Sequence, residues 1–185
     1  MRSIKLSLCK KSTTGWDAAV LLTESYLGGD RKADLLLEEL PADFDRERRA
    51  RCQSLFLGAL RHGHRTQAAL KHLLRKKAKT RVEAVFLVAG FELLHAEAER
   101  HPKIIHHAVE RSKGLVNRFE QSFLNAVLRK LPKALAAIDP DLAPEAFYSH
   151  PKWLVDHWKM EFPEHFRALL EWNQGIPPTY LKIYA

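Results

Sequence analysis

Apolar residues return every three to four positions along most of this chain, the period of helices rather than strands. Trp16 to Leu27 predicts a first helix, with Ala19, Val20 and Thr23 on one side and Gly28-Gly29 as its stop. Leu35 to Leu40 predicts a short second helix ended by Pro41. Asp43 or Asp45 caps a third, in which Cys52, Leu55, Phe56, Ala59 and Leu60 fall at i, i+3, i+4, i+7 and i+8 before His62-Gly63-His64 ends it. Thr66 is expected to cap a fourth, with Ala69, Leu70, Leu73 and Leu74 inward. A fifth, Arg81 to Ala98 with Thr80 as its cap, is apolar nearly all round and so belongs in the centre of a bundle. Pro102 opens a sixth, which buries Ile104, Ile105, Ala108 and Val109 and closes at Gly114. A seventh, about Glu120 to Leu131, turns Phe123, Leu124, Val127, Leu128 and Leu131 inward.

The pattern then changes. Pro132, Pro140, Pro144 and Pro151 interrupt a stretch that reads as a linker. Two shorter helical patches follow, Pro151 to Phe162 and Pro163 to Trp172, with Trp153, Trp158 and Trp172 expected as the core of a small C-terminal unit. After a turn at Gly175-Ile176-Pro177-Pro178, Thr179 to Tyr184 alternates like a strand. A single strand is not stable alone, so the expectation is that the chain stops where another domain would start. The predicted fold class is all-α: a helical domain over 1–133, a linker over 134–150, and a short helical and strand segment over 151–185.

Charge sharpens this picture. The chain carries a formal net charge of +8, yet the stretch from Arg48 to Val82 holds eleven Lys and Arg residues and no Asp or Glu. Outside it the 19 remaining basic residues face all 22 acidic ones. A concentrated positive field attracts polyanions and is the electrostatic footprint of a nucleic-acid binder. The plainer reading is a solvated face; the lack of interspersed carboxylates speaks against it. The candidate nucleic-acid-contacting residues are Arg48, Arg49, Arg51, Arg65, Lys71, Arg75, Lys76, Lys77, Lys79 and Arg81, with Lys10 and Lys11 as an added arm and Arg129 on a second basic edge. On the fourth helix Lys71, Arg75 and Lys79 lie at steps of four, so one face is expected to present stacked cations. Arg61 reads as a helix-closing residue. Asn125, half-buried, is expected to tie two helices together.

Other chemistry is thin. Cys9 and Cys52 form no disulfide framework and have no Cys or His at ligand spacing. Ten histidines, among them His62, His64, His106 and His107, supply no convergent three- or four-ligand set, so no metal is expected. No apolar run approaches a membrane span and no secretory signal is visible, which makes a reduced cytoplasmic protein the default, with no membrane partner.

Several segments together resemble a known family. Asp45-Arg46 with Leu55-Phe56-Leu57-Gly58-Ala59-Leu60-Arg61 is similar to the third-helix signature of NusB-like domains. His101-Pro102-Lys103 with Ala108-Val109-Glu110 and Lys113 resembles their penultimate helix, and Phe123-Leu124-Asn125-Ala126-Val127-Leu128-Arg129 their last. His150-Pro151-Lys152-Trp153-Leu154-Val155, Trp158, Phe162-Pro163, Asn173, Pro177-Pro178 and Leu181-Lys182 resemble the passage that joins such a domain to the catalytic part of Sun/RsmB-type ribosomal RNA cytosine-5 methyltransferases. The resemblance implies a NusB-like helical bundle that binds ribosomal RNA and, in the family, is fused to an S-adenosylmethionine-dependent catalytic domain. It assigns no cofactor and no catalytic residue here: neither Cys9 nor Cys52 matches the family's nucleophile, and no Gly-x-Gly-x-x-Gly is present. Trp16-Asp17-Ala18-Ala19 stands where the family often has an Arg, and Leu181-Lys182-Ile183-Tyr184 where it usually reads Leu-Arg-Val-Asn. Two rivals stay open: a stand-alone antitermination-type RNA-binding factor with a protein partner, and a helical protein–protein adaptor.

Overall fold

A computed structural model describes residues 12, 14–29 and 31–177 of the chain. Cys9, Lys10, Lys11 and the Thr179–Tyr184 strand lie outside the described residues. Among those described, all regular structure is helical. In chain order the helices are α1 (Gly15–Leu27), α2 (Ala33–Leu37), α3 (Arg46–Arg61), α4 (Gly63–Leu73), α5 (Thr80–Leu94), α6 (His101–Ser112), α7 (Arg118–Leu128), α8 (Leu131–Ala136), α9 (Pro144–Phe147), α10 (Lys152–Glu161) and α11 (Phe166–Gln174). A single 3-10 turn, Ala98–Arg100, leads into α6.

The centre is α5. Val82, Val85, Phe86, Leu87, Val88 and Leu93 are all buried, as the all-round apolar pattern requires. Around it, α1, α3, α4, α6, α7 and α8 each lay an apolar face on α5. The α3 face comprises Cys52, Leu55, Phe56 and Ala59, at the expected spacing. Fully burying a side chain such as Phe86 or Leu55 contributes roughly 1.5–3 kcal/mol. Small residues let the helices approach closely. A Cβ built on Gly15 would stand 2.7 Å from the carbonyl oxygen of Arg48, and one on Gly90 2.6 Å from Thr66 Oγ1.

Caps and breaks differ from the sequence expectation in instructive ways. Asp45 does cap α3, its carboxylate accepting from the N–H of Arg48 at 2.8 Å. Thr66 caps nothing: α4 already begins at Gly63, and Thr66 lies buried in its interior against Gly90. Lys79, not Thr80, occupies the N-cap position of α5, without a side-chain bond. The start of α7 is set by a capping box: the Asn117 side chain accepts from the Glu120 N–H while Glu120 accepts from the Asn117 N–H. Asn125 does not join two helices; its Oδ1 accepts from Arg129 Nε at 3.3 Å, one turn on.

The segment read as a linker is built into the bundle. Leu131–Ala136 and Pro144–Phe147 are helices that rest on α4, and Leu135 and Ile138 are buried. Arg65 fastens them. Its guanidinium lies 3.9 Å over the Phe147 ring and donates to the Leu135 carbonyl at 3.4 Å. Its backbone N–H donates to Ser149 Oγ at 2.9 Å. Beyond Pro151, α10 and α11 pack on each other; Val155 and Leu170 are their buried residues, whereas Trp153 and Trp172 are exposed. The expected tryptophan core is therefore an aliphatic one, with only Trp158 half-buried.

Candidate nucleic-acid interface

The decisive local event is the end of α4. The helix stops at Leu73 because Leu74 adopts an extended conformation (φ −113°, ψ 130°), and residues 74–79 run as a non-helical connection to α5. Lys71, Arg75 and Lys79 therefore do not stack on one helical face. Instead Lys71 leaves the last turn of α4, while Arg75, Lys76 and Lys77 follow on the connection. Together they rim a cleft of about 390 Å³ whose walls include Leu70, Leu74 and Ala78.

Among the described residues, Glu83 is the one carboxylate lining that cleft. It is buried and already satisfied: its Oε1 accepts from Gln67 Nε2 at 2.9 Å, and Lys77 Nζ stands 3.6 Å from its other oxygen. Beside the cleft, Lys79 Nζ meets Glu120 Oε1 at 2.7 Å. That bond, with the Asn117 backbone N–H, holds the Glu120 carboxyl below its usual range. Both lysines remain mostly exposed, at 84% and 78% of the side chain. Each ammonium has three donors and meets a single carboxylate among the described residues, so donors remain open to a further anionic partner. Lys71, Arg75 and Lys76 are exposed and form no ion pair with any described residue.

The rest of the basic stretch divides by surroundings. Arg49 ties down the turn before α3, donating to the Phe44 carbonyl at 3.2 Å and to the Pro41 carbonyl at 2.8 Å. Arg65 is half-buried where α8 and α9 rest on α4, and burial lowers its guanidinium pKa. Arg81 donates to Glu24 at 2.8 Å and to the Leu115 carbonyl at 3.1 Å, joining α5 to α1 and the turn before α7. Arg48 faces its own cap residue Asp45 at 3.5 Å. Arg51 pairs with Glu92 of α5. Arg129, the C-cap of α7, is held by Asn125 one turn back. Sequence spacing brought these residues into one list; the fold gives Arg49, Arg65 and Arg81 structural bonds and leaves the α4–α5 connection as the open cationic surface.

His62 does not face this cleft. It stacks on Phe91 at 5.7 Å and meets His95 edge-on at 4.6 Å, next to Arg61. Burial, then the neighbouring His95, Arg61 and Arg65, push its pKa down to about 4. Among the described residues no group of three His, Cys, Asp or Glu could hold a metal ion, and no helix is long and apolar enough to cross a membrane.

Comparison with known proteins matches residues 18–133 to the NusB family. The chain belongs to the NusB family. Residues 150–184 match the ferredoxin-like domain of RsmF/B-like methyltransferases. Similar curated proteins include the ribosomal RNA small subunit methyltransferase B of Pseudomonas syringae pv. tomato, 30% identical over 156 residues, covering 80% of this chain and 35% of that protein. The namesake from Pseudomonas putida is 30% identical over 158 residues, covering 80% and 36%. That from Citrobacter koseri is 26% identical over 152 residues, covering 80% and 34%. The chain thus spans about a third of the length of these relatives and corresponds to the N-terminal region of the Sun/RsmB type. The NusB match includes the whole connection between α4 and α5.

Proposed function

We propose that this NusB-family chain docks small-subunit ribosomal RNA for a cytosine-5 methyltransferase whose catalytic part lies outside this sequence. The single observation that carries the reading is the cleft at the α4–α5 connection, where Lys71, Arg75 and Lys76 stand exposed and unpaired among the described residues. Side chains of this type bind phosphate oxygens and fix the register of a strand without reading its bases. Docking then raises the local concentration of one cytosine at a tethered catalytic site. No step of methyl transfer is assigned to this chain, because no residue matches the family's nucleophile or its glycine-rich cofactor loop. Against the stand-alone factor stands the second match, over 150–184, to a methyltransferase domain.

The test is a triple substitution, Lys71→Gln, Arg75→Gln and Lys76→Gln, assayed on a single-stranded ribosomal RNA fragment. Each lost single-strand phosphate contact lowers the steepness of log K against log salt by about 0.7. The slope is expected to become shallower by about 2 and affinity at moderate salt to fall tenfold or more, with helicity unchanged by circular dichroism. Wild-type slope and affinity in the variant would remove the cleft from the RNA-binding surface.

A further inference from the structure

We infer that a second cleft, between α3, α5 and the start of α6, holds another phosphate of the same RNA strand. The inference rests on the RNA-docking reading above, but on different residues. Arg51, Glu92, Arg100, Lys103, Ile104 and His107 enclose about 200 Å³. Three of these are cations: Arg51 from α3, and Arg100 and Lys103 from the entry to α6, about fifty positions further along the sequence.

The lone carboxylate does not oppose an anion here. Glu92 is only 11% exposed, and each of its oxygens is engaged: Oε1 by Arg51, Oε2 by Trp16 Nε1 at 2.9 Å. Its role is to hold the Arg51 guanidinium in place. Arg51 remains 55% exposed, and a guanidinium has five N–H donors, most of them still free to bond. Arg100 and Lys103 are exposed and make no ion pair with a described residue. His107, one turn beyond Lys103, is positioned edge-on against Trp16 at 5.6 Å. Arg100 is also the N-cap of α6, a helix of twelve residues with no side-chain cap, so the positive end of the helix adds to the field.

The setting makes this more than a chance of composition. Outside the basic stretch the chain is net negative, yet this cleft combines one member of that stretch with Arg100 and Lys103 from beyond it. Glu83, in the first cleft, and Glu92, in the second, are nine residues apart on α5. That places the clefts about 14 Å apart along the helix and half a turn around it. A strand that fills both follows the bundle surface around α5 rather than lying along one face.

The test uses the full chain and a single-stranded ribosomal RNA fragment, comparing wild type with Arg100→Gln/Lys103→Gln. Both positions are exposed, so folding is preserved. Loss of two contacts makes the salt slope shallower by about 1.4, and affinity falls several-fold to tenfold. An unchanged slope and affinity overturns the inference. So does loss of polyglutamate binding with RNA binding intact, since the cleft would then take an acidic protein segment. If the double variant loses RNA while Lys71→Gln/Arg75→Gln/Lys76→Gln does not, the second cleft stands and the first fails. If wild-type binding shows no salt dependence, both fall.

Discussion

Thr66 and His62, four residues apart, show how much a single buried atom decides. Thr66 Oγ1 is buried and has no hydrogen-bond partner among the described residues. Leaving a hydroxyl unpaired in this way costs about 1–3 kcal/mol. Thr66→Val, which keeps the shape and removes the hydroxyl, is expected to raise stability by about 1 kcal/mol, measured by urea unfolding. His62 makes stability depend on pH. Its folded pKa, about 4, lies below the 6.5 of an unfolded histidine. Between those values the unfolded chain binds the proton and the folded chain does not, so stability present above pH 6.5 is lost as pH falls toward 4. His150, lowered by burial, acts in the same direction. After discounting for partial exposure, the His62 effect is on the order of 1–2 kcal/mol. The melting temperature of the wild type should drop between pH 7 and pH 5 by more than that of His62→Gln.

At the level of elements, α3 and α5 were legible in the sequence because packing there obeys a simple period. Cys52, Leu55, Phe56 and Ala59 fall on one stripe, and α5 is apolar on every side. What periodicity could not show was where α4 stops. Leu73 and Leu74 continue the apolar pattern, and nothing in Arg75-Lys76-Lys77 forbids a helix, so the break at Leu74 comes from tertiary packing overriding local preference. The Pro-rich stretch misled in the other direction. Prolines at Pro132 and Pro144 sit in first helical turns, where they are well tolerated, and the short helices they open are held down by Arg65. The candidate site was legible as charge, but periodicity does not show that Arg49 folds back onto the carbonyls of the turn before it, nor that Arg81 meets Glu24 and the Leu115 carbonyl, which lie near it only in space. The cleft of Arg51, Arg100 and Lys103 had no linear signal, since its members are up to 52 positions apart.

For the whole molecule, the matched regions leave 134–149 between them, while the structure packs that interval onto α4. A chain ending at Lys133 would lack Leu135 and Ile138, which are buried, and the Phe147 and Ser149 contacts of Arg65. We expect a 1–133 fragment to be less stable than a 1–150 fragment by about 3 kcal/mol or more, read as a lower urea midpoint. Equal midpoints would mean that the bundle is complete without α8 and α9.

The early stop of α4 has one more consequence. A rigid ladder of charges suits only a ligand whose negative groups recur at the same pitch. Side chains on the short connection after Leu73 are not bound to that pitch, and neighbouring cations can each settle on a different phosphate of an irregular, unpaired strand. In the proposed docking, such a grip would trade discrimination for tolerance, and would leave the choice of nucleotide to whatever the strand meets next.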